Sequence, residues 1–371
     1  MELTIVLLFI MTALVFEFIN GFHDTANSIA TVVATKVLSP NQAILMAAGT
    51  NLIGALAGEA VAKTISSGLI DAGVLTVTSE ILMCALAGGI AWNLLTWWLG
   101  LPSSSSHAMI GGLCGAALGA ADTNWSVLIW SQPADPWFKG SGLLYKVVLP
   151  MISSPIIGFF LGLLIMGLLF FLIAWMGRRS GLLGRLSRPR WVNAFFGKAQ
   201  LASAAYMGFA HGLNDAQKTM GLIALAIVGA NSVGQLDDLP VFLEFLRPDG
   251  DGIDTWIKVT CALVMAAGTA VGGWRIIKTL GHKMVKLHPV HGFAAETASA
   301  TILSGAALLG MPVSTTHSIS TAIMGVGFAK SSRALKWGVI ERILWAWVLT
   351  LPVTGVMGYL LVRGLKAVGV L

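Results

Sequence analysis

Asn20-Gly-Phe-His-Asp-Thr-Ala-Asn-Ser28 and His211-Gly-Leu-Asn-Asp-Ala-Gln-Lys-Thr219 are two copies of one polar motif. A shift of 191 residues places Gly21 on Gly212, Asp24 on Asp215 and Ser28 on Thr219. Each copy sits in a strongly apolar run. A carboxylate in such surroundings is costly, and it faces a cavity or a partner rather than lipid. Two of them at equivalent places in two halves point to one site built at a repeat interface.

The composition agrees. Of 371 residues, 56% are hydrophobic and only 11% charged, against roughly 25% charged in a soluble protein. Mean hydropathy is +0.81, and residues 147–176 carry no charge at all. That run reads either as one long tilted helix or as a helix and a broken one around Pro150 and Pro155. Apolar runs of spanning length predict an all-α polytopic membrane protein with about ten spans. Forty-three glycines suit closely packed membrane helices. The net charge of +6 does not imply nucleic acid, because the basic residues gather in short loops, as cytoplasmic loops do. Cys84, Cys114 and Cys261 lie in apolar runs without metal-ligand spacing and read as small hydrophobes. No cleavable signal is expected. No G-x-x-x-x-G-K-[ST] loop is present, so neither ATP drive within this chain nor a cofactor is expected.

Along the chain, residues 3–19 read as an apolar helix interrupted by Glu17, followed by the first motif and a less polar segment. Residues 42–62 and 78–101 read as further spans, with 63–77 as a short loop between them. Residues 122–145 form a polar loop whose tryptophans suit a membrane interface. Residues 178–198 are basic and free of acids, and are expected in the cytoplasm. The loop at 231–254 is acidic, with Asp237, Asp238, Glu244, Asp249, Asp251 and Asp254 against Arg247, and is expected on the opposite side. Residues 255–277 and 290–310 are apolar, 278–286 form a basic loop, and 336–362 read as one span with a hinge at Pro352.

The repeat extends beyond one motif. Pro102-Ser-Ser-Ser-Ser-His107 matches Pro312-Val-Ser-Thr-Thr-His317, Ala47-Ala-Gly-Thr50 matches Ala266-Ala-Gly-Thr269, and Lys63-Thr64 resembles Lys278-Thr279. The order is the same in both halves, which marks an internal duplication. It divides the chain into a first repeat at 1–176, a basic linker at 177–198 and a second repeat at 199–371. An odd or even number of crossings before the linker decides whether the copies are inverted, and both four and five spans fit the first half.

The Pro-Ser element has a physical reading. Proline suits the first turn of a helix and Ser or Thr the cap beside it. A helix start offers unpaired N–H groups and a positive dipole end, which together attract anions. Ser104, Ser105 and Ser106, with Ser314, Thr315 and Thr316, add hydroxyl donors. Two such elements facing each other at mid-membrane would grip a tetrahedral oxyanion from two sides. The plainer alternative, that they only cap two helices, is weakened by their duplication beside the Asp motif.

Asp24 and Asp215 repel an anion and so need a reason. One is a bound cation, held by a carboxylate, Asn27 and backbone carbonyls. Another is a proton on Asp or on His23. A third is the substrate's own proton. Phosphate near neutral pH keeps P–OH donors and sulfate does not, and a polar site deprived of its partner discriminates strongly. The plain reading of the aspartates is a pairing with Lys218 or a helix cap. The copies differ: Asn27 meets Lys218, and His23 meets Asn214. Lys218 reads as an anion ligand or as a fixed charge replacing a bound cation, and the second role biases coupling toward H⁺. His107 and His317 read as gating or proton-relay groups, or as histidines hydrogen-bonded within their hairpins. Glu17, Asn51, Glu59, Glu80 and Glu296 are membrane-embedded polar residues. Glu296, sixteen residues before Pro312, joins Asp24, Asp215, His23 and Asn214 as a coupling-ion candidate.

These motifs resemble those of the inorganic phosphate transporter (PiT) family, in its bacterial low-affinity branch. The resemblance rests on Gly21-Phe-His-Asp-Thr-Ala-Asn27, Gly212-Leu-Asn-Asp-Ala-Gln-Lys218 and the two Pro-x-Ser-[ST]-[ST]-His elements, and it covers both halves. It implies inverted-topology repeats, an exterior N-terminus and re-entrant helical hairpins meeting at the substrate. It also implies that Asp24, Asn27, Asp215, Ser104, Ser105, Ser314 and Thr315 lie at the phosphate and coupling-ion site. By this resemblance the chain is a multi-pass protein of the cell inner membrane that imports phosphate by H⁺ symport, including as a neutral metal–phosphate complex. Na⁺ coupling or sulfate transport is the alternative within the family. Lys218 stands where the commoner family pattern has a second asparagine. A homodimer is an assembly the sequence leaves open. An intramembrane hydrolase is disfavoured, since the Ser-His pairs are duplicated and no G-x-S-x-G elbow is present. A channel is disfavoured by buried carboxylates at a midplane site.

Overall fold

The computed structural model describes residues 2–136, 139–248, 250 and 252–371. Asp249 and Asp251 of the acidic loop lie outside the described residues. Before the basic stretch come α1 (Glu2–Ala34), α2 (Pro40–Leu56), α3 (Ala60–Ser67), α4 (Ser79–Leu99), α5 (Ser105–Ala120) and α6 (Leu149–Gly177). The short α7 (Leu182–Leu186) follows. Then come α8 (Pro189–Ser232), α9 (Thr255–Val271), α10 (Trp274–Lys278), α11 (Pro289–Leu308), α12 (Thr315–Lys330) and α13 (Trp337–Ala367). The fold is all-helical, as expected. Residues 177–198, expected as a linker, hold α7 and the first turns of α8.

By length and composition four helices can cross a membrane: Leu3–Ala34, Ser79–Leu99, Leu144–Gly177 and Trp337–Ala367. Two bent pairs, α2 with α3 and α9 with the segment Trp274–Lys283, raise this to six. The expected ten spans therefore stand at four to six by this criterion. The 44-residue α8 is long enough but is not among them. Its motif residues dilute an otherwise apolar helix.

Local chemistry explains several boundaries. Pro40 opens α2 in its first turn, and Gln42 Oε1 accepts from the Ser39 N–H at 3.1 Å. Gly100 ends α4 at φ +66°, a left-handed conformation that glycine adopts without a Cβ clash. The uncharged run is one continuous helix, with Pro150 near its start and Pro155 inside it. The loop after α5 is tied down through Asp122, which meets Lys366 and Arg363 of α13. Those two cations hold its carboxyl below the usual carboxylate range.

Three expectations need correction. The first motif does not follow a helix; it lies inside α1, which runs unbroken through it. The motif has no proline, and Thr25 turns its hydroxyl onto the Gly21 carbonyl at 2.7 Å, so nothing breaks the ladder. The span expected at 42–62 instead bends by 64° near residues 57–59, and the loop expected at 63–77 begins as helix α3. The cause is a long-range cap: Gln217 of α8 accepts from the Val61 and Ala62 N–H groups at 2.8 and 3.3 Å. The basic stretch 278–286 likewise starts as helix, with α10 running into a π-helical turn at Thr279–Lys283.

Packing crosses between the halves. α5 packs on α13, α12 on α6, α2 on α8, and α9 on α1. The motif helices α1 and α8 pack together and run antiparallel. Glu17 near the middle of α1 meets Thr219 of α8, while Thr35 at the end of α1 meets Gln200 near the start of α8. Glycine permits these approaches. A Cβ on Gly21 would lie 2.4 Å from the Met265 carbonyl oxygen of α9, and one on its counterpart Gly212 would lie 2.1 Å from the Asn51 oxygen of α2. Phe160, Leu164 and Phe171 of α6, with Trp345 and Val348 of α13, face outward, as lipid-contacting residues do.

Gly212→Ala should therefore destabilise the protein by about 1–3 kcal/mol, the usual cost of overpacking a tight contact. Gly167→Ala on α6, where no atom lies within 4 Å, should be neutral or slightly stabilising. Thermal melts of detergent-purified protein, followed by tryptophan fluorescence, check both.

Candidate functional site

α1 and α8 bring the two motifs together, and α5 and α12 both begin against them. Each of the two latter helices has the same cap: Ser104 Oγ accepts from the His107 N–H, and Ser314 Oγ from the His317 N–H, both at 3.2 Å. Such caps fix where each helix starts. The starts face each other, with Ser106 Oγ donating to the Val313 carbonyl at 3.4 Å. The His107 and His317 rings stand 4.7 Å apart, edge to face.

The motif helices reach across to the opposite half. Asn27 Nδ2 donates to Thr315 Oγ1 at 3.1 Å and to Thr316 Oγ1 at 2.9 Å. At the equivalent place, the Lys218 ammonium bonds Ser106 Oγ, the counterpart of Thr316. It also pairs with Asp215 and donates to the Val313 carbonyl at 3.0 Å. Thr315 Oγ1 donates to Asp215 Oδ2 at 3.0 Å. The ion pair with Lys218, one of the plain readings of the aspartates, is therefore what surrounds Asp215.

Each aspartate also has a histidine. His23 Nδ1 donates to Asp24 Oδ1 at 2.6 Å, and its Nε2 lies 3.1 Å from Thr96 Oγ1, which in turn meets Ser103 at 2.8 Å. On the other side the partner is His211, although Asn214 is the residue that aligns with His23. His211 Nε2 lies 3.1 Å from Asp215 Oδ2, and its Nδ1 donates to Asn51 Oδ1 at 3.2 Å. Asn51 Nδ2 then donates to Thr269 Oγ1 at 3.0 Å. Ligand atoms of Asp24, His211 and Asp215 lie within 4.8 Å of one another, close enough to share a metal ion. Asn214 points instead at the Met311 carbonyl, at 3.5 Å.

Glu296 is buried but not beside the aspartates. It accepts from Thr31 at 2.5 Å, from Gln200 Nε2 at 3.0 Å and from Ser203. Thr31 is seven residues beyond Asp24 on α1, about 10 Å along the axis. Glu17 lies as far on the other side of Asp24, where it accepts from Thr219 at 2.5 Å. His317 stacks on Trp347 at 3.9 Å, and Trp347 Nε1 donates to the Pro102 carbonyl at 2.9 Å.

Sequence reasoning missed His211, Thr96 and Thr269, and did not place Asn51 at the site. His211 carried a signal: it lies four residues before Asp215, the spacing that puts two side chains on one helical face. Thr269 closes the duplicated Ala-Ala-Gly-Thr motif and Asn51 follows its other copy, whereas Thr96 carried no such signal.

The site is closed, since none of Asp24, Asn27, Asp215, Lys218, the six hydroxyl residues or the two helix-start histidines is more than 4% exposed. It is also under-satisfied. Asn27 Oδ1, Ser105 Oγ, Asn214 Oδ1 and both ring nitrogens of His317 are buried without a hydrogen-bond partner. Buried polar atoms are normally paired, so a cluster of orphans at two facing helix starts is what a ligand site presents.

The fold and this site define a helical membrane protein with a closed polar centre between its halves. Comparison with known proteins agrees. The phosphate transporter family matches residues 20–358. A protein of Bacillus subtilis, named a "probable low-affinity inorganic phosphate transporter", is 40% identical over 356 residues, covering 96% of either chain. One of the same name from Rhizobium meliloti is 43% identical over 352 residues, covering 95% of this chain and 93% of the relative. A solved structure named "the sodium-dependent phosphate transporter" is 22% identical, with a TM-score of 0.77 over 98% of this chain and all of that one. It shares the fold. The chain belongs to the phosphate transporter family, whose members are transporters and not enzymes.

Asp215→Ala should leave the Lys218 ammonium buried without its counter-charge. A loss of about 3–5 kcal/mol is expected, as for breaking one side of a buried ion pair. Asp24→Ala should cost less, because it takes the counter-charge from no lysine. The two melting temperatures, compared under one detergent condition, check the order.

Proposed function

We propose that this protein imports inorganic phosphate across the cell inner membrane by H⁺ symport, through an alternating-access site between two inverted halves. The observation that carries this reading is the pair of facing helix starts, at α5 and α12, set across Asp24 and Asp215. The N–H groups and hydroxyls of residues 104–106 and 314–316 suit the oxygens of a tetrahedral anion. The carboxylates suit its P–OH groups, which sulfate lacks.

The inverted relation is supported by the antiparallel run of α1 against α8 and by the matched exchange of partners between the halves. In this reading, residues 1–176 and 199–371 are the repeats, joined through a cytoplasmic basic stretch. α4 with α5, and α11 with α12, form the re-entrant hairpins. Asp24, Asp215, His23, Asn214 and Glu296 are the coupling-ion candidates, with His211 added beside Asp215, and His107 and His317 are the gate or relay. Asp24, His211 and Asp215 together suit a divalent ion carried with phosphate. Na⁺ coupling is the second reading, favoured by the name of the structural neighbour. Assembly as a homodimer is part of the proposal.

Labelled phosphate uptake into proteoliposomes tests this. Uptake is expected to follow an imposed pH gradient, to ignore an imposed Na⁺ gradient and to resist excess sulfate. Asp24→Asn should lower it by about a hundredfold, the loss of roughly 2–3 kcal/mol from a charge-assisted hydrogen bond. Uptake that needs Na⁺ replaces the coupling ion, and competition by sulfate replaces the substrate.

A further inference from the structure

Lys218 is placed as a cation would be. Its ammonium is buried among three oxygens: the Asp215 carboxylate, the Ser106 hydroxyl and the Val313 main-chain carbonyl. Carboxylate, hydroxyl and carbonyl oxygens are also the donors that a hard metal cation takes from a protein. A lysine ammonium has three N–H donors. All three donors are taken up here, so none is left for a substrate oxygen in this closed arrangement. That argues against Lys218 as an anion ligand.

The repeat supplies the comparison. Residue 218 falls on Asn27, and the two side chains make the same bond across the interface, Lys218 to Ser106 and Asn27 to Thr316. The first half makes it with a neutral amide. Asn27 Oδ1 remains buried without a partner, three residues from Asp24 and on the same helical face. The first half thus offers a carboxylate and an amide oxygen, with His23 and no lysine paired to Asp24 among the described residues. The second offers a carboxylate already neutralised by a charge on its own chain, with His211 beside it.

Charge balance makes the difference consequential. Two buried carboxylates and an incoming anion need compensating cations. We infer that Lys218 is a tethered coupling cation. It fills the monovalent-cation place of the second half, so the carrier takes up one exchangeable cation fewer than the same chain with asparagine at 218. Asp24 and Asn27 are left as the place for an exchangeable ion. The inference rests on the carrier reading above and deepens it, by naming which half couples.

Lys218→Asn and Lys218→Arg test it, read first without phosphate. Radiosodium binding and thermal melts are measured in sodium and in N-methylglucamine. Wild type and K218R are expected to show the same radiosodium binding and the same difference between the two salts, set by the Asp24 and Asn27 place alone. K218N is expected to gain radiosodium binding and to melt about 4 °C higher in sodium, the stabilisation of a ligand that binds the folded state. Its phosphate uptake should then rise about tenfold with sodium, as for a binding step restored by about 1.4 kcal/mol. A folded K218N that is indifferent to sodium overturns the inference. So does a K218N that fails to fold even in sodium, since sodium should replace the lost charge. A K218R that becomes sodium-dependent overturns it too. Wild-type phosphate uptake is scored separately: its absence removes the phosphate reading, while sodium binding by K218N still decides the role of Lys218.

Discussion

Two aspartates inside apolar helices are the constraint on which this structure depends. Neither Asp24 nor Asp215 can be buried alone, because an uncompensated charge in a low-dielectric interior costs several kcal/mol. Asp24 takes a proton donor from its neighbour His23. Asp215 takes Lys218 and His211 from its own helix and Thr315 from the far half. The compensation spreads outward through Thr96, Asn51, Thr269 and Ser106, so the polar centre fastens seven helices: α1, α2, α4, α5, α8, α9 and α12.

That fastening needs close backbones. Gly21 and Gly212 each lie against a carbonyl of the opposite half, one turn before the aspartate they serve. The same small residue thus permits both the helix crossing and the side-chain network. In an apolar environment, where lipid is as greasy as the core, such packing and buried hydrogen bonds do much of the work of association. The two halves hold each other through exchanged partners, and the site exists only where they meet.

Much of this was legible in the chain. The duplicated Asp motif, the duplicated Pro-Ser element and the missing charges placed Asp24, Asn27, Ser106, Asp215, Lys218, Thr315 and Thr316 together before any coordinates. Their signal is strong because polar residues in an apolar run must have partners. Glu296 drew notice for the same reason. It is buried and polar, but its partners are Thr31, Gln200 and Ser203 rather than the aspartates. His211 was passed over because alignment of the two motifs pairs His23 with Asn214, whereas helical geometry pairs His211 with Asp215. The bend near residues 57–59 had only Gly58 as a local signal, and its cap comes from Gln217, far along the chain.

The sequence by itself determined the environment and the chemistry. Apolar runs of spanning length satisfy their backbone groups internally as membrane helices, and buried carboxylates beside helix-start hydroxyls define a polar centre within them. Only the tertiary structure decided the pairing. It put Lys218 on Ser106 and Asn27 on Thr316, ran α1 antiparallel to α8, and left Asn27 Oδ1 without a partner. The physical reason is that burial is a property of composition, which a sequence carries residue by residue. Which buried donor meets which acceptor depends on helices hundreds of residues apart crossing at the distance a glycine allows.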